Sequence, residues 1–165
     1  HQLNRFLVLF DSTIDRQGVG WNAWQAKIAI GNGGFFGQGI GSGTQSAGDF
    51  LPEQWTDFIF AVLCEELGFI GASVILIMFG VLLYRGIKIA MTSRDFYGSL
   101  VAIGVVTMFF FHVFENVGMN IGIMPIAGIP LPFISYGGSA VLANFMGIAI
   151  LENIYMRRES LSFRE

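Results

Sequence analysis

Asp57 stands at the head of a long apolar run, DFIFAVLCEELGFIGASVILIMFGVLLY, with Glu65 and Glu66 two turns further along it. A positioned carboxylate can serve as a general base. An ionised one costs at least about 2.5–3.5 kcal/mol inside a membrane helix, so it usually faces a cavity or a partner. A second polar group lies in FFFHVFENVGMN, where His112 and Asn116 are spaced i, i+4 and Glu115 sits on the adjoining face. Ser135 and Tyr136 open a third apolar run. Each group also has a plain structural reading. Asp57 can be a first-turn carboxylate favoured by the helix dipole, with Thr56 as N-cap. Glu65 and Glu66 can be hydrogen-bonding partners between helices, and the His112 cluster can be a polar contact that fixes packing. His1 and His112 are too far apart for a local metal motif, and the single Cys64 excludes a disulfide framework or a thiolate metal site.

Apolar spans must position these residues. The chain is 53% hydrophobic and 13% charged with a mean hydropathy of +0.62, about half the charge of a soluble domain. This predicts an all-α integral membrane protein with a single membrane domain over residues 1–165. Three spans, 57–84, 97–119 and 135–156, are each long enough to cross about 30 Å of hydrocarbon as a helix. Arg85, Lys88 and Arg94 follow the first span, and Arg157 and Arg158 follow the third. The positive-inside rule places both basic segments, including the 157–165 tail, in the cytoplasm. Residues 1–56 and the connection between the second and third spans then face outward. The chain opens on His1 without a signal-peptide pattern and reads as a piece of a longer protein, with a truncated partner helix before residue 1. A net charge of −3 gives no reason to expect nucleic acid as a partner.

On the first span, Asp57, Ala61, Cys64, Gly68 and Ala72 recur on one face. Such a small-residue stripe lets another helix approach closely, so Asp57 heads a face turned to protein. In the outer segment, GWNAWQAKIAI places Trp21, Trp24 and Ile28 on one face of a helix lying in the interface. The run GNGGFFGQGIGSGTQSAGD has neither dinucleotide nor P-loop glycine spacing. Its interleaved Phe35, Phe36 and Ile40 favour a folded loop over a linker. The second outer connection carries Pro125, Pro130 and Pro132 and reads as a rigid, partly re-entrant loop. Asp57, the Gly-rich loop, Asn116 and the Pro-rich loop therefore meet at the outer surface.

The stretches KIAIGNGG, GTQS, LPEQWTDFIFAV, EELGF and GIPLPFISYGGS resemble the SEDS family of shape, elongation, division and sporulation proteins, over nearly the whole chain and in order. Ala127 and Pro130 resemble the elongation type, RodA, since division-type members tend to carry Lys and Thr there. The resemblance implies the C-terminal part of a roughly ten-helix fold in the bacterial cytoplasmic membrane. It also implies a peptidoglycan glycosyltransferase that polymerises lipid II on the outer face, for which this segment alone should be inactive. The family's essential aspartate maps onto Asp57, while Trp55 stands where many members have His. The implied chemistry is a single inverting displacement with Asp57 as general base. The departing pyrophosphate is then met by Lys27 or by a divalent cation (Mg2+ or Mn2+) carried on its oxygens, and no organic cofactor or protein-built metal site is expected. Further candidate substrate contacts are Gln45, Ser46, Glu53, Thr56, Asn116 and Ser135. Implied partners are a class B penicillin-binding protein and other elongation-machinery proteins. The competing readings are a flippase for the lipid-linked precursor and a non-catalytic scaffold. A flippase should line the bilayer midplane with polar residues, whereas here they crowd toward the outer surface.

Overall fold

The computed structural model describes residues 19–45 and 55–158, and among them it is helical with no strand. Four helices follow in chain order: α1 (Val19–Gly33), α2 (Ile59–Met91), α3 (Phe96–Ile121) and α4 (Gly138–Met156). The last three are long and apolar enough to cross a membrane. Helix α2 packs mainly against α3 and α1, and α4 lies against α3 and α2.

The expected first span of 57–84 is displaced at both ends. RGIKIA contains no proline and its single Gly86 is tolerated, so α2 continues through Arg85 and Lys88 to Met91, where Thr92 closes it with its N–H on the Lys88 and Ile89 carbonyls. At the other end the helix starts at Ile59 with Phe58 at the N-cap and no side-chain cap, so Thr56 is not the N-cap. Helix α3 starts where the Asp95 carboxylate accepts from the Gly98 N–H, and it ends on left-handed Gly122 (φ 79°). Together with the arginines after α4, these boundaries gather Arg85, Lys88, Arg94, Arg157 and Arg158 at one end of the spanning helices, called here the basic end.

Helix α1 lies on α2, with Ala26 and Ala29 fully buried against Phe58, Ala61 and Val62. Trp21 and Trp24 remain about half exposed on its other face. The small-residue stripe of α2 is buried as expected, and Cys64 and Ala72 join Phe60, Phe79 and Leu131 in a second cluster. Close approach needs the glycines: a methyl group at Gly33 would collide with the Cys64 carbonyl, and one at Gly37 with the Glu66 carbonyl.

Helix α2 breaks at Gly68, whose φ of 68° and ψ of −170° belong to a region that is essentially glycine-only. The Gly-rich loop fills the break. Gln38 and Gly39 donate their N–H groups to the Glu65 and Glu66 carbonyls, and the Phe69 and Ile70 N–H groups donate to the Gly34 and Phe35 carbonyls. Helix and loop thus supply each other's missing backbone partners, which buried peptide groups require. The run is a folded loop at least through Gln45.

Candidate active site

Two asparagines one helical turn apart on α3 hold the backbone of Asp57. Asn116 donates through Nδ2 to the Asp57 carbonyl at 3.1 Å and to the Ile129 carbonyl at 2.8 Å. Asn120 donates to the same Asp57 carbonyl at 3.1 Å, while its Oδ1 accepts the Ala61 N–H at 3.3 Å. Both asparagines are fully buried. Ala61 is the third residue of α2, and its amide has no partner within the helix. Asn120 therefore performs from another helix the N-cap task that Thr56 was expected to perform.

The two preceding carbonyls are held as well. Ser135 donates from Oγ to the Thr56 carbonyl at 2.7 Å while accepting the Leu131 N–H at 2.8 Å, and the Tyr136 N–H donates to the Trp55 carbonyl at 2.8 Å. Three successive carbonyls, those of Trp55, Thr56 and Asp57, are thus tied to α3 and the Pro-rich loop. That loop carries Phe133 at a φ of 63°, a left-handed conformation unusual for an aromatic residue. The Phe133 ring packs on Phe109 and Phe145, at centroid distances of 5.6 and 5.8 Å. The Asp57 carboxylate lies over Gly128, where an added methyl group would come within 3.4 Å of Oδ2.

The remaining expected residues fall around this centre. Lys27 is exposed on α1, and its ammonium end folds against Gly122, where the C-terminal dipole of α3 favours a cation. The Gln45 N–H donates to Glu65 Oε1 at 2.8 Å, and the Thr44 hydroxyl donates to the same oxygen at 3.2 Å. Gln45 Oε1 is buried with no hydrogen-bond partner among the described residues. Glu66 Oε1 accepts the Gly41 N–H at 2.9 Å. Glu65 and Glu66 thus both hold the Gly-rich loop. Ser46 and Glu53 lie outside the described residues. Asp57, Thr56, Asn116 and Ser135 come together, but the Asn116 amide and the Ser135 hydroxyl are engaged with backbone groups. Asn120 and Gly128 were not singled out from the sequence; Asn120, spaced i, i+4 from Asn116, was the available signal. Among the described residues no group of three or more His, Cys, Asp or Glu side chains is placed to hold a metal ion.

The chain is similar to known proteins over nearly all of its length. The family model for the FtsW, RodA and SpoVE cell cycle proteins matches residues 1–160. The peptidoglycan glycosyltransferase MrdB of Escherichia coli K12 is 44% identical over 162 residues, 98% of this chain and 44% of its own length. Stage V sporulation protein E of Bacillus subtilis is 44% identical over 154 residues, covering 93% of this chain and 42% of its own. Among solved structures, a peptidoglycan synthase complex in which polymerization and crosslinking are coordinated aligns over 96% of this chain and 43% of that one. Its TM-score is 0.79 at 28% identity. A crystal structure of an aspartate-to-alanine variant of Thermus thermophilus RodA aligns over 64% of this chain and 35% of that one, with a TM-score of 0.61 at 34% identity. The chain spans less than half the length of the curated relatives it matches. By sequence, helical architecture and structural likeness together, this chain belongs to the FtsW/RodA/SpoVE (SEDS) family of integral membrane cell cycle proteins.

Proposed function

We propose that the protein carrying this chain is a peptidoglycan glycosyltransferase of the bacterial cytoplasmic membrane, polymerising lipid II into β-1,4 glycan strands during cell elongation with Asp57 as general base. The observation that carries the reading is the fixing of the backbone leading into Asp57 at three successive carbonyls, those of Trp55, Thr56 and Asp57. Immobilising a carboxylate in advance of reaction is what proton abstraction from a poorly acidic hydroxyl requires.

In the proposed step the 4-hydroxyl of an acceptor sugar gives its proton to Asp57. Its oxygen forms the new bond at the anomeric carbon of a chain held on undecaprenyl pyrophosphate. The pyrophosphate leaves from the opposite face with the bonding electron pair, so the α-linked donor becomes a β-linkage. Lys27 is the proposed anion contact for the leaving group. A divalent cation, Mg2+ or Mn2+, would arrive on the pyrophosphate oxygens rather than in a protein-built cage. Gln45, Ser46, Glu53 and Thr56 are proposed sugar or loop contacts. We assign Asn116 and Ser135 to positioning, because their polar atoms are engaged with the backbone around Asp57. The active site faces outward, a class B penicillin-binding protein docks against the spanning helices to supply crosslinking, and residues outside this chain complete the cavity.

The test incubates purified full-length protein with lipid II. The Asp57→Asn variant should lose about 10²–10⁴-fold of the polymerisation rate, the usual contribution of a general base. Equal glycan from the variant, or none from the wild type, overturns the reading. Undiminished precursor translocation without polymer supports the flippase reading instead.

A further inference from the structure

On each spanning helix a count from the basic end gives a provisional length of the hydrocarbon-crossing part. Twenty helical residues rise about 30 Å, the thickness of the apolar core. On α2 that count runs from Lys88 to Gly68, on α3 from Asp95 to Glu115, and after α4 from Arg157 back to Gly137. Burial changes at the same levels. Toward the basic end from Gly68, α2 exposes Phe69, Ile70, Val74, Ile77 and Met78, whereas Ile59, Phe60, Ala61, Val62, Cys64 and Glu65 beyond it are all buried. Helix α3 likewise exposes Phe110, Phe111 and Phe114 and then buries Glu115 and Asn116.

The Gly-rich loop docks at this level and turns large apolar side chains outward: Phe35 is 71%, Phe36 85% and Ile40 82% exposed. The Phe35 ring stands edge-on to Phe69, at 6.1 Å between centroids, so the loop tip continues the apolar surface of the helix. Much of the loop's backbone polarity is partnered by the helix. The N–H groups of Gly37, Gln38 and Gly39 are all donated to carbonyls, and the Gly34 and Phe35 carbonyls both accept. Water would satisfy those groups at a soluble surface, but a lipid boundary does not, and there irregular backbone persists only when protein partners it.

We infer that the tip formed by Phe35, Phe36 and Ile40 is a lipid-contacting anchor that inserts into the interfacial layer of the leaflet opposite the basic end. The break at Gly68 is where the membrane surface crosses α2. Asp57 lies eleven residues beyond Gly68, and the asparagines that hold it lie one and five residues beyond Glu115. The hydrogen bonds from Asn116 and Asn120 place the Asp57 backbone at the end of α3 remote from the basic end. The anchor stands independently of the proposed reaction.

The test uses the full-length protein in phospholipid nanodiscs, with Cys64→Ser removing the only cysteine of this chain and a nitroxide spin label at one new cysteine. With Phe36→Cys or Ile40→Cys, relaxation by oxygen should exceed relaxation by a water-soluble nickel chelate several-fold. With Trp55→Cys the order should reverse. Preferential relaxation by the nickel chelate at both tip positions overturns the inference, because the tip is then in water. Shielding from both reagents also overturns it, because protein rather than lipid then covers the tip.

Discussion

At the scale of single residues, the work around Asp57 is done by groups that recognise its backbone. Asn116→Ala removes two part-buried hydrogen bonds; Asn120 still serves the Asp57 carbonyl, but the Ile129 carbonyl loses this partner, and an unsatisfied carbonyl costs about 1–3 kcal/mol. The full-length variant should melt at a lower temperature and lose on the order of 10²-fold in polymerisation rate, as a misplacement of about 1 Å does. A melting curve beside a lipid II assay checks both; an unshifted melt with full activity would show that Asn116 does not position the aspartate. Gly128→Ala meets two obstacles, a φ of 72° and a carboxylate 3.4 Å from the new methyl. The left-handed conformation alone costs about 1–2 kcal/mol. Reduced glycan synthesis from protein that still purifies as wild type is the expected outcome. Of this site, Asp57, Thr56, Asn116 and Ser135 were legible from residue type, apolar context and resemblance. That Asn116 and Ser135 serve the backbone was not, because their partners lie 59 and 79 residues away in the chain.

At the scale of elements, the junction between α2 and the Gly-rich loop is the feature most sensitive to change. A methyl group at Gly68 would strike the Gly37 amide and the Phe35 carbonyl while forcing an L-residue into a glycine-only conformation. Gly68→Ala should therefore lower the melting temperature of the detergent-solubilised protein by an amount equivalent to several kcal/mol. Glu65 separates by chemistry instead. Glu65→Gln retains an oxygen able to accept from Thr44 and Gln45, whereas Glu65→Ala releases both. Limited proteolysis should cut the Ala variant faster than the Gln variant between residues 38 and 46; equal protection of both would show that the carboxylate does not hold the loop. Gly68 was legible as one member of a small-residue stripe. Its role as a helix break was not, because a positive φ leaves no mark on periodicity.

At the scale of the whole molecule, three spanning helices gather five basic residues at one end and the Asp57 centre at the other. The proposed orientation predicts that Trp55→Cys, in a Cys64→Ser background, reacts with a membrane-impermeant maleimide added to spheroplasts. Ser93→Cys, next to Arg94, should react only after permeabilisation. The opposite labelling pattern would invert the topology and remove the outward-facing site with it. The helices also leave large apolar side chains exposed along their length, as surfaces facing lipid or the remainder of a longer protein do.

Composition and periodicity by themselves determined the three spans, the basic end, the buried small-residue face headed by Asp57 and the level at which the polar residues collect. These are properties of the local run of side chains, which burial in a membrane acts on directly. Only the tertiary structure decided that Asn120 caps α2 from another helix, that Glu65 and Glu66 serve the Gly-rich loop, and that loop and helix complete each other at Gly68. Those outcomes depend on which distant backbone groups lack a partner once the helices are packed, a question the chain answers only when folded.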